Sequence, residues 1–570
     1  MLIPRRVLLV APAVLCSRTA LAQPALNILD FQCFINRFAA GDVYANCDGS
    51  TAAPVLNALD FSCYIREYAA RNPYADCDAQ GWTTFIVENV YFVSSSTGSD
   101  SNPGTEAFPF RSLARGYAAL RAGHADQLSL KCGDSWLEAF PRWTKGSNQA
   151  AYMVVTSYGT GPRPQLRTPA ATSAFDLASG VTGLAIAHID FAPNVRGGSN
   201  YAGINNVGGL NHFLVEGCSI TSYPGNIVIQ VAGNAPISDI KIRRNIIADS
   251  YDTGAGHSQG IFMQGVQGWA IVGNVFDANA VNKADIFCHN VYIQTDCSPG
   301  EFSDNISARA SSHGVQQRPG GTMENNLFLR NPINAYQGRT TPGQNLCRWN
   351  VALDSQNINA IDIRGVGFDI GAIGGLIFSH NVIAHQTGSN GPYNISAVSF
   401  ANIQGGATVE GNVIRDWGYA TAGPPMACNA VAFGWYQGAT GTIEVFHNKI
   451  IQRRYGQVIA HSNGAPFASN FNYHDNSYWT TNDTTPGCYS PFDWAPASGG
   501  SASAWRSITG DNSTFADPGP LDLTLQGVTG MTLAEFMAEC RKQSRQNWRD
   551  EFTSDYINDI IRKRAGVQPN

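Results

Sequence analysis

Asn245-Ile246-Ile247, Asn274-Val275-Phe276, Asn305-Ile306-Ser307, Asn326-Leu327-Phe328, Asn350-Val351-Ala352, Asn381-Val382-Ile383, Asn412-Val413-Ile414 and Asn448-Lys449-Ile450 repeat one phrase along the middle of the chain. Each phrase closes a stretch in which apolar and polar residues alternate. The asparagines stand 21 to 36 positions apart, room for two or three short strands with turns and too irregular for a helical repeat. The pattern predicts an all-β solenoid, a right-handed parallel β-helix, whose coils stack about 4.8 Å apart because no single coil can bury its apolar side alone. The asparagines are expected at one turn of successive coils, where their amides bond along the stack and tolerate a left-handed backbone.

The 570 residues are 44% apolar and carry a formal net charge of -6, enough for a large core and without the broad basic face that nucleic acid requires. Arg5-Arg6, the apolar run Val7 to Leu15 and Ala20-Leu21-Ala22 form a signal-peptide pattern with cleavage after Ala22, so residues 1–22 are expected to be removed and the rest exported or held at the cell surface. No later run reaches the roughly 18 apolar residues of a membrane span. Of 13 cysteines, Cys16 falls in the removed segment. Cys33, Cys47, Cys63 and Cys77 form the most regular set and Cys288 with Cys297 a local disulfide candidate, the alternative for the first four being zinc.

Residues 26–48 and 56–78 are two copies of one unit, Leu26-Asn27-Ile28-Leu29-Asp30-Phe31-Gln32-Cys33 against Leu56-Asn57-Ala58-Leu59-Asp60-Phe61-Ser62-Cys63, each read as an amphipathic helix. This pair resembles the GC-type dockerin-like repeats of secreted planctomycete proteins. The resemblance implies that residues 23–80 attach the protein to a cohesin-like or cell-surface partner. It also implies an EF-hand-related calcium loop, for which Asn46, Asp48, Ser50, Asn57 and Asp60 supply oxygens; the alternative is a disulfide-held helix pair.

Tyr91-Phe92-Val93-Ser94, then Gly98-Ser99-Asp100-Ser101-Asn102-Pro103-Gly104-Thr105 and a helical stretch to about Arg121, resemble the opening segment of secreted β-helices of the pectate-lyase-like superfamily, where a helix plugs the first coil. Asp100 and Asn102 read as turn formers, with cation binding at a β-helix turn as the other reading. Thr532-Leu533-Ala534-Glu535 is a capping box, and a second helix starts near Thr553 or Ser554 with Tyr556, Ile557, Ile560 and Ile561 on one face. The basic run Arg562-Lys563-Arg564 reads as a solvated helix end. The layout is thus a module at 23–80, a β-helix with its cap at 81–519 and a helical tail at 520–570.

Four neighbouring strands align by alternation so that Phe262, Tyr292, Gln316 and Tyr336 form one outward column and Gln264, Gln294 and Arg318 the next. His257, His289 and His313 gather where these strands begin, with Lys283 and Arg309 in the intervening turns. An imidazole base, a tyrosine acid and an arginine facing a carboxylate are the set needed for β-elimination from a uronic acid. We therefore assign His289, His313, Tyr292 and Arg318 to catalysis, and His257, Gln264, Lys283, Gln294, Arg309, Gln316 and Tyr336 to an acidic polysaccharide. Asp304-Asn305-Ile306, Arg318-Pro319-Gly320-Gly321 and Glu324-Asn325-Asn326 resemble a coil pair of the alginate-lyase and chondroitinase-B type, which implies Arg318 acting near the leaving group. Thr295-Asp296 stand where that family places its lysine base, so either His289 or His313 replaces it or the chain is of a different family on the same scaffold. Paired carboxylates, Asp362 with Asp369 or Asp285 with Glu324, define a hydrolase alternative, and an aromatic column without catalysis defines a glycan-binding one.

Overall fold

Asn245 shows why the chain coils. Its Nδ2 donates to the Val215 carbonyl of the preceding coil and to Asn274 Oδ1 of the next, 2.9 and 3.0 Å away, and Asn274 Oδ1 also accepts the Asn245 backbone N–H. The same pattern runs through Asn305, Asn326, Asn350, Asn381, Asn412 and Asn448 to Asn476, with amide contacts of 2.9 to 3.1 Å. One corner of each coil from Asn245 to Asn476 thus satisfies its buried polar groups from its neighbours. The left-handed backbone belongs to the residue before each asparagine: Arg244, Asp304, Asn325, Trp349, His380 and His447 lie at φ 53 to 61°, and Gly273 and Gly411 occupy the same place. The expectation that the asparagines themselves adopt it is corrected. The ladder fixes a turn tightly enough to hold even tryptophan and arginine there.

The computed structural model describes Ile65 and residues 82–567, except 255, 281, 284, 339–343, 356–364, 372–373, 387–394, 402, 404, 419–427, 435–440, 462–469, 484–489 and 495–499. The chain divides into units at residues 1–85 and 86–570. The signal-peptide pattern, the cysteines from Cys33 to Cys77, and Asn46, Asp48, Ser50, Asn57 and Asp60 lie outside the described residues, as does Asp362.

The second unit is a right-handed parallel β-helix of three sheets, with 14, 14 and 12 strands among the described residues. Each coil visits the sheets in turn: Leu210–Glu216 in the first, Ser219–Thr221 in the second and Gly225–Gln230 in the third, before Ile237–Arg243 returns to the first one coil later. All pairing between coils is parallel and in register, as Ile227↔Ile261↔Val291 shows. Phe276, Phe302 and Phe328 stack inside the coil at centroid distances of 6.1 and 6.3 Å. Among the described residues no helix is long and apolar enough to cross a membrane.

The helix Leu113–Ala119 plugs the first coil, opened by Ser112, whose Oγ accepts the Arg115 N–H. It packs so closely that a Cβ on Gly116 would lie 2.7 Å from Val93 Cγ2 and 2.9 Å from Leu128 Cδ1. Both Asp100 carboxylate oxygens are taken up by the Arg111 and Ser112 N–H groups and the Ser112 hydroxyl, and Asn102 Nδ2 donates to the Pro109 carbonyl. These contacts close the turn that the two residues were expected to form.

The second sheet is apolar on both faces, which explains its unbroken triplets such as Leu327–Leu329 and Val351–Leu353. Its outer face is covered by the C-terminal helices Leu533–Cys540, with its capping box, and Ser554–Ala565. Phe536, Met537, Ile557 and Ile561 pack against Ile306, Leu327, Val351 and Val382. Two expectations for the tail are corrected. Tyr556 is exposed, while Asn558 is fully buried and donates to the Asn325 carbonyl. Arg562 is not a solvated end: its Nη1 donates to Asn325 Oδ1 and the Trp349 carbonyl, both at 2.7 Å. The third sheet receives no such cover from the tail.

Candidate active site

The third sheet builds the site from backbone register alone. Phe262, Tyr292, Gln316 and Tyr336 pair in one row, as the alternation predicts, and Val228 and Asp369 extend it at either end. Their neighbours Ile261, Val291, Val315 and Ala335 point inward and are fully buried. Phe262 and Tyr292 meet edge to face at 5.6 Å. In the following column Gln264 and Gln294 are half-buried and make no side-chain hydrogen bond among the described residues, nor does the Gln316 amide. Three amides therefore remain for a ligand.

His289 and His313 open consecutive strands 24 residues apart. Their rings meet edge to face at 4.7 Å and their Nδ1 atoms are 3.1 Å apart. Ser312 Oγ lies 2.7 Å from His313 Nδ1. His289 also contacts the Tyr292 ring at 4.9 Å, and His313 the Tyr336 ring at 6.2 Å. His289 is 1% exposed; burial, and then the charges of His313, Arg318 and His257, hold it far below the usual imidazole range, so its ring is neutral. Its Nε2 is buried without a hydrogen-bond partner among the described residues. A second polar ladder underlies this pair: Asn226 Nδ2 donates to Asn279 Oδ1, and Asn279 Nδ2 to Asn290 Oδ1, at 3.0 and 2.9 Å. Asn290 lies between His289 and Val291, so this ladder fixes the strand where the imidazole leaves it.

Arg318 lies with its guanidinium carbon 5.4 Å from the centre of the Tyr292 ring. It has no carboxylate within ion-pair distance among the described residues, and its buried Nε has no partner there. Burial pushes the Tyr292 phenol up from its ordinary value, with Arg318 opposing the shift, so the hydroxyl keeps its proton at neutral pH.

Other expected members do not join this group. Arg309 is bound to Asp277 through Nε at 2.8 Å and through Nη2, and Asp277 also binds Arg541 of the tail, so Arg309 serves the tail-covered flank. Lys283 donates to the carbonyls of Gly254 and Gly256, which fixes the loop before His257 rather than presenting an ammonium to a ligand. His257 stands 3.2 Å from Asp285 and 5.5 Å from the Phe287 ring, exposed beside the imidazole pair. Glu324 belongs to the first sheet and pairs with Arg348 at 3.1 Å, so it forms no carboxylate pair with Asp285. Cys288 and Cys297 are both free and buried at opposite ends of the His289 strand, and the disulfide expected between them is absent. Sequence reasoning missed Ser312 and the Asn226 ladder; the ladder draws on different places in each coil and so has no constant spacing.

The three sheets define the chain as a parallel β-helix protein, with imidazole, phenol and guanidinium groups grouped on one face of the third sheet. No family model matches the sequence, and no curated protein matches it. Among solved structures it is similar to a GH136 lacto-N-biosidase from Eubacterium ramulus, at 12% identity over 82% of this chain and 71% of that one, TM-score 0.33. It is similar to pectate lyase Pel9A at 11% identity over 79% and 86% of the two chains, TM-score 0.28. A mannuronic-acid-specific family 6 polysaccharide lyase from human gut microbiota matches at 13% identity over 83% and 99%, TM-score 0.32. Likeness at these scores carries no argument about activity.

Proposed function

We propose that the protein is a carbohydrate-active enzyme, a polysaccharide lyase that cleaves a uronate-containing chain by β-elimination on the third sheet. The observation that carries this reading is Arg318, a guanidinium without a carboxylate partner among the described residues, seated over Tyr292 and beside the neutral His289 ring, which is paired with His313. In the reaction His313 takes the proton α to the uronate carboxyl. The released electron pair forms the new C4–C5 double bond as the C4–O bond breaks, Tyr292 protonates the departing oxygen, and Arg318 neutralises the carboxylate so that the carbanionic charge is supportable. In this reading the proton is taken at His313 Nε2, with Nδ1–H shared between Ser312 Oγ and His289 Nδ1. Gln264, Gln294, Gln316 and Tyr336 line the sugar path.

Incubation with a panel of uronate polysaccharides tests this through the ultraviolet absorbance of the conjugated unsaturated product. Growth of that absorbance supports the lyase. New reducing ends without it would replace the lyase with a hydrolase, for which Asp369 at the end of the column is the carboxylate to mutate. Retention of glycan without either signal would leave only binding. Attachment through residues 23–80, with calcium at Asn46, Asp48, Ser50, Asn57 and Asp60, completes the proposal; calorimetry of that segment's response to calcium and chelator checks it.

A further inference from the structure

His257, Asp285 and Cys288 converge where two consecutive coils enter the third sheet, with one ligand atom from each lying within 4.8 Å of the others. We propose that they form a binding site for a divalent transition-metal ion of the zinc type, with His257 Nδ1, Asp285 Oδ2 and Cys288 Sγ as ligands and a fourth position open to water. This goes beyond the lyase reading and does not depend on it.

The geometry is close to what such an ion needs. Bonds of about 2.0 to 2.3 Å in a tetrahedron put ligand atoms roughly 3.3 to 3.8 Å apart, and His257 Nδ1 already stands 3.2 Å from Asp285 Oδ2. Closing the remaining distance asks movement mainly of His257, whose side chain is 55% exposed. Each donor is also held from behind. The Ser258 backbone N–H points at Cys288 Sγ, 3.3 Å away, the contact that stabilises a metal-bound thiolate. The Phe287 N–H binds Asp285 Oδ1 at 2.8 Å, which leaves Oδ2 turned toward the imidazole. Lys283 ties the carbonyls of Gly254 and Gly256 and so fixes the loop that delivers His257.

Donor chemistry selects the ion. Calcium and magnesium take oxygen ligands, and here a thiol and an imidazole supply two of three. A simple His–Asp ion pair would account for two of these residues and leaves the buried, N–H-bonded sulfur beside them without a purpose. Cys288 is followed directly by His289, so an ion here would also brace the strand that carries the imidazole pair.

The test uses the full chain, freed of metal by chelator and titrated with Zn2+ by calorimetry and with Co2+ by absorbance, with no polysaccharide present. Its outcome is therefore independent of the lyase assay. The expected result is one ion bound per chain at this site and a thiolate-to-cobalt charge-transfer band that Cys288→Ala abolishes. His257→Ala, an exposed change that leaves the core untouched, should weaken binding by at least about tenfold. Absence of the band, or a band and stoichiometry unchanged in both variants, would overturn the proposal. Displacement of cobalt by millimolar-range calcium would overturn the assignment of a nitrogen- and sulfur-selected ion.

Discussion

His289 and His313 occupy equivalent places on consecutive coils with their Nδ1 atoms 3.1 Å apart, so one imidazole must donate and the other accept. A pair of this kind can hold a base in one tautomer without a carboxylate partner. His313→Ala and Arg318→Ala are each expected to lower unsaturated-product formation by roughly 10²- to 10⁴-fold while leaving thermal stability within a few degrees. Initial rates on the best polysaccharide of the panel, with circular dichroism of each variant, check this; full activity in a folded Arg318→Ala protein would refute the assignment.

The asparagine ladder makes a stability prediction. Asn350 Oδ1 accepts from both the backbone and side chain of Asn326, and its Nδ2 reaches the Met323 carbonyl and Asn381 Oδ1. Asn350→Ala leaves these buried groups unpaired and is expected to cost about 2–4 kcal/mol. Urea unfolding measures it. A loss below about 0.5 kcal/mol would show that the coils do not depend on the ladder.

Tail docking rests on Arg541, which binds Asp277 through Nε at 2.5 Å and Asp249 through Nη1 and Nη2 at 2.7 and 2.9 Å. The Asp277 side chain is fully buried. In Arg541→Ala it keeps Arg309 but loses half its compensation, and a cost of about 2–3 kcal/mol is expected. Hydrogen exchange should quicken across residues 533–565 before the coils respond.

Acid should weaken the far end of the coil. His461 is buried among Phe433, Phe471 and Trp505 with Nε2 2.7 Å from the Tyr473 hydroxyl, and burial holds its pKa at about 3. Because the folded value lies below the unfolded one, the unfolded chain takes up the proton first, and stability falls as pH drops from about 6.5 toward 3. His461→Phe should flatten the dependence of melting temperature on pH across that window. An unchanged slope would show that other groups set it.

Repetition carried most of the fold into the sequence. The Asn phrases announced stacked turns, and the alternation in Ile261–Gln264, Val291–Gln294 and Val315–Arg318 set the register that brings Phe262, Tyr292, Gln316 and Tyr336 into line, because a parallel in-register sheet converts equal positions into neighbours. The cap helix, the capping box at Thr532 and the adjacency of His289 with His313 were legible for the same reason: each depends on local spacing. Tertiary structure alone decided which charges are free. Arg309 and Arg541 meet on Asp277, and Arg541 lies 264 residues from that carboxylate. Lys283 is consumed by two backbone carbonyls, and Arg562 caps a distant ladder turn. Arg318 differs from them only in lacking a carboxylate near it, and whether a charge finds a partner depends on distances that no local pattern encodes.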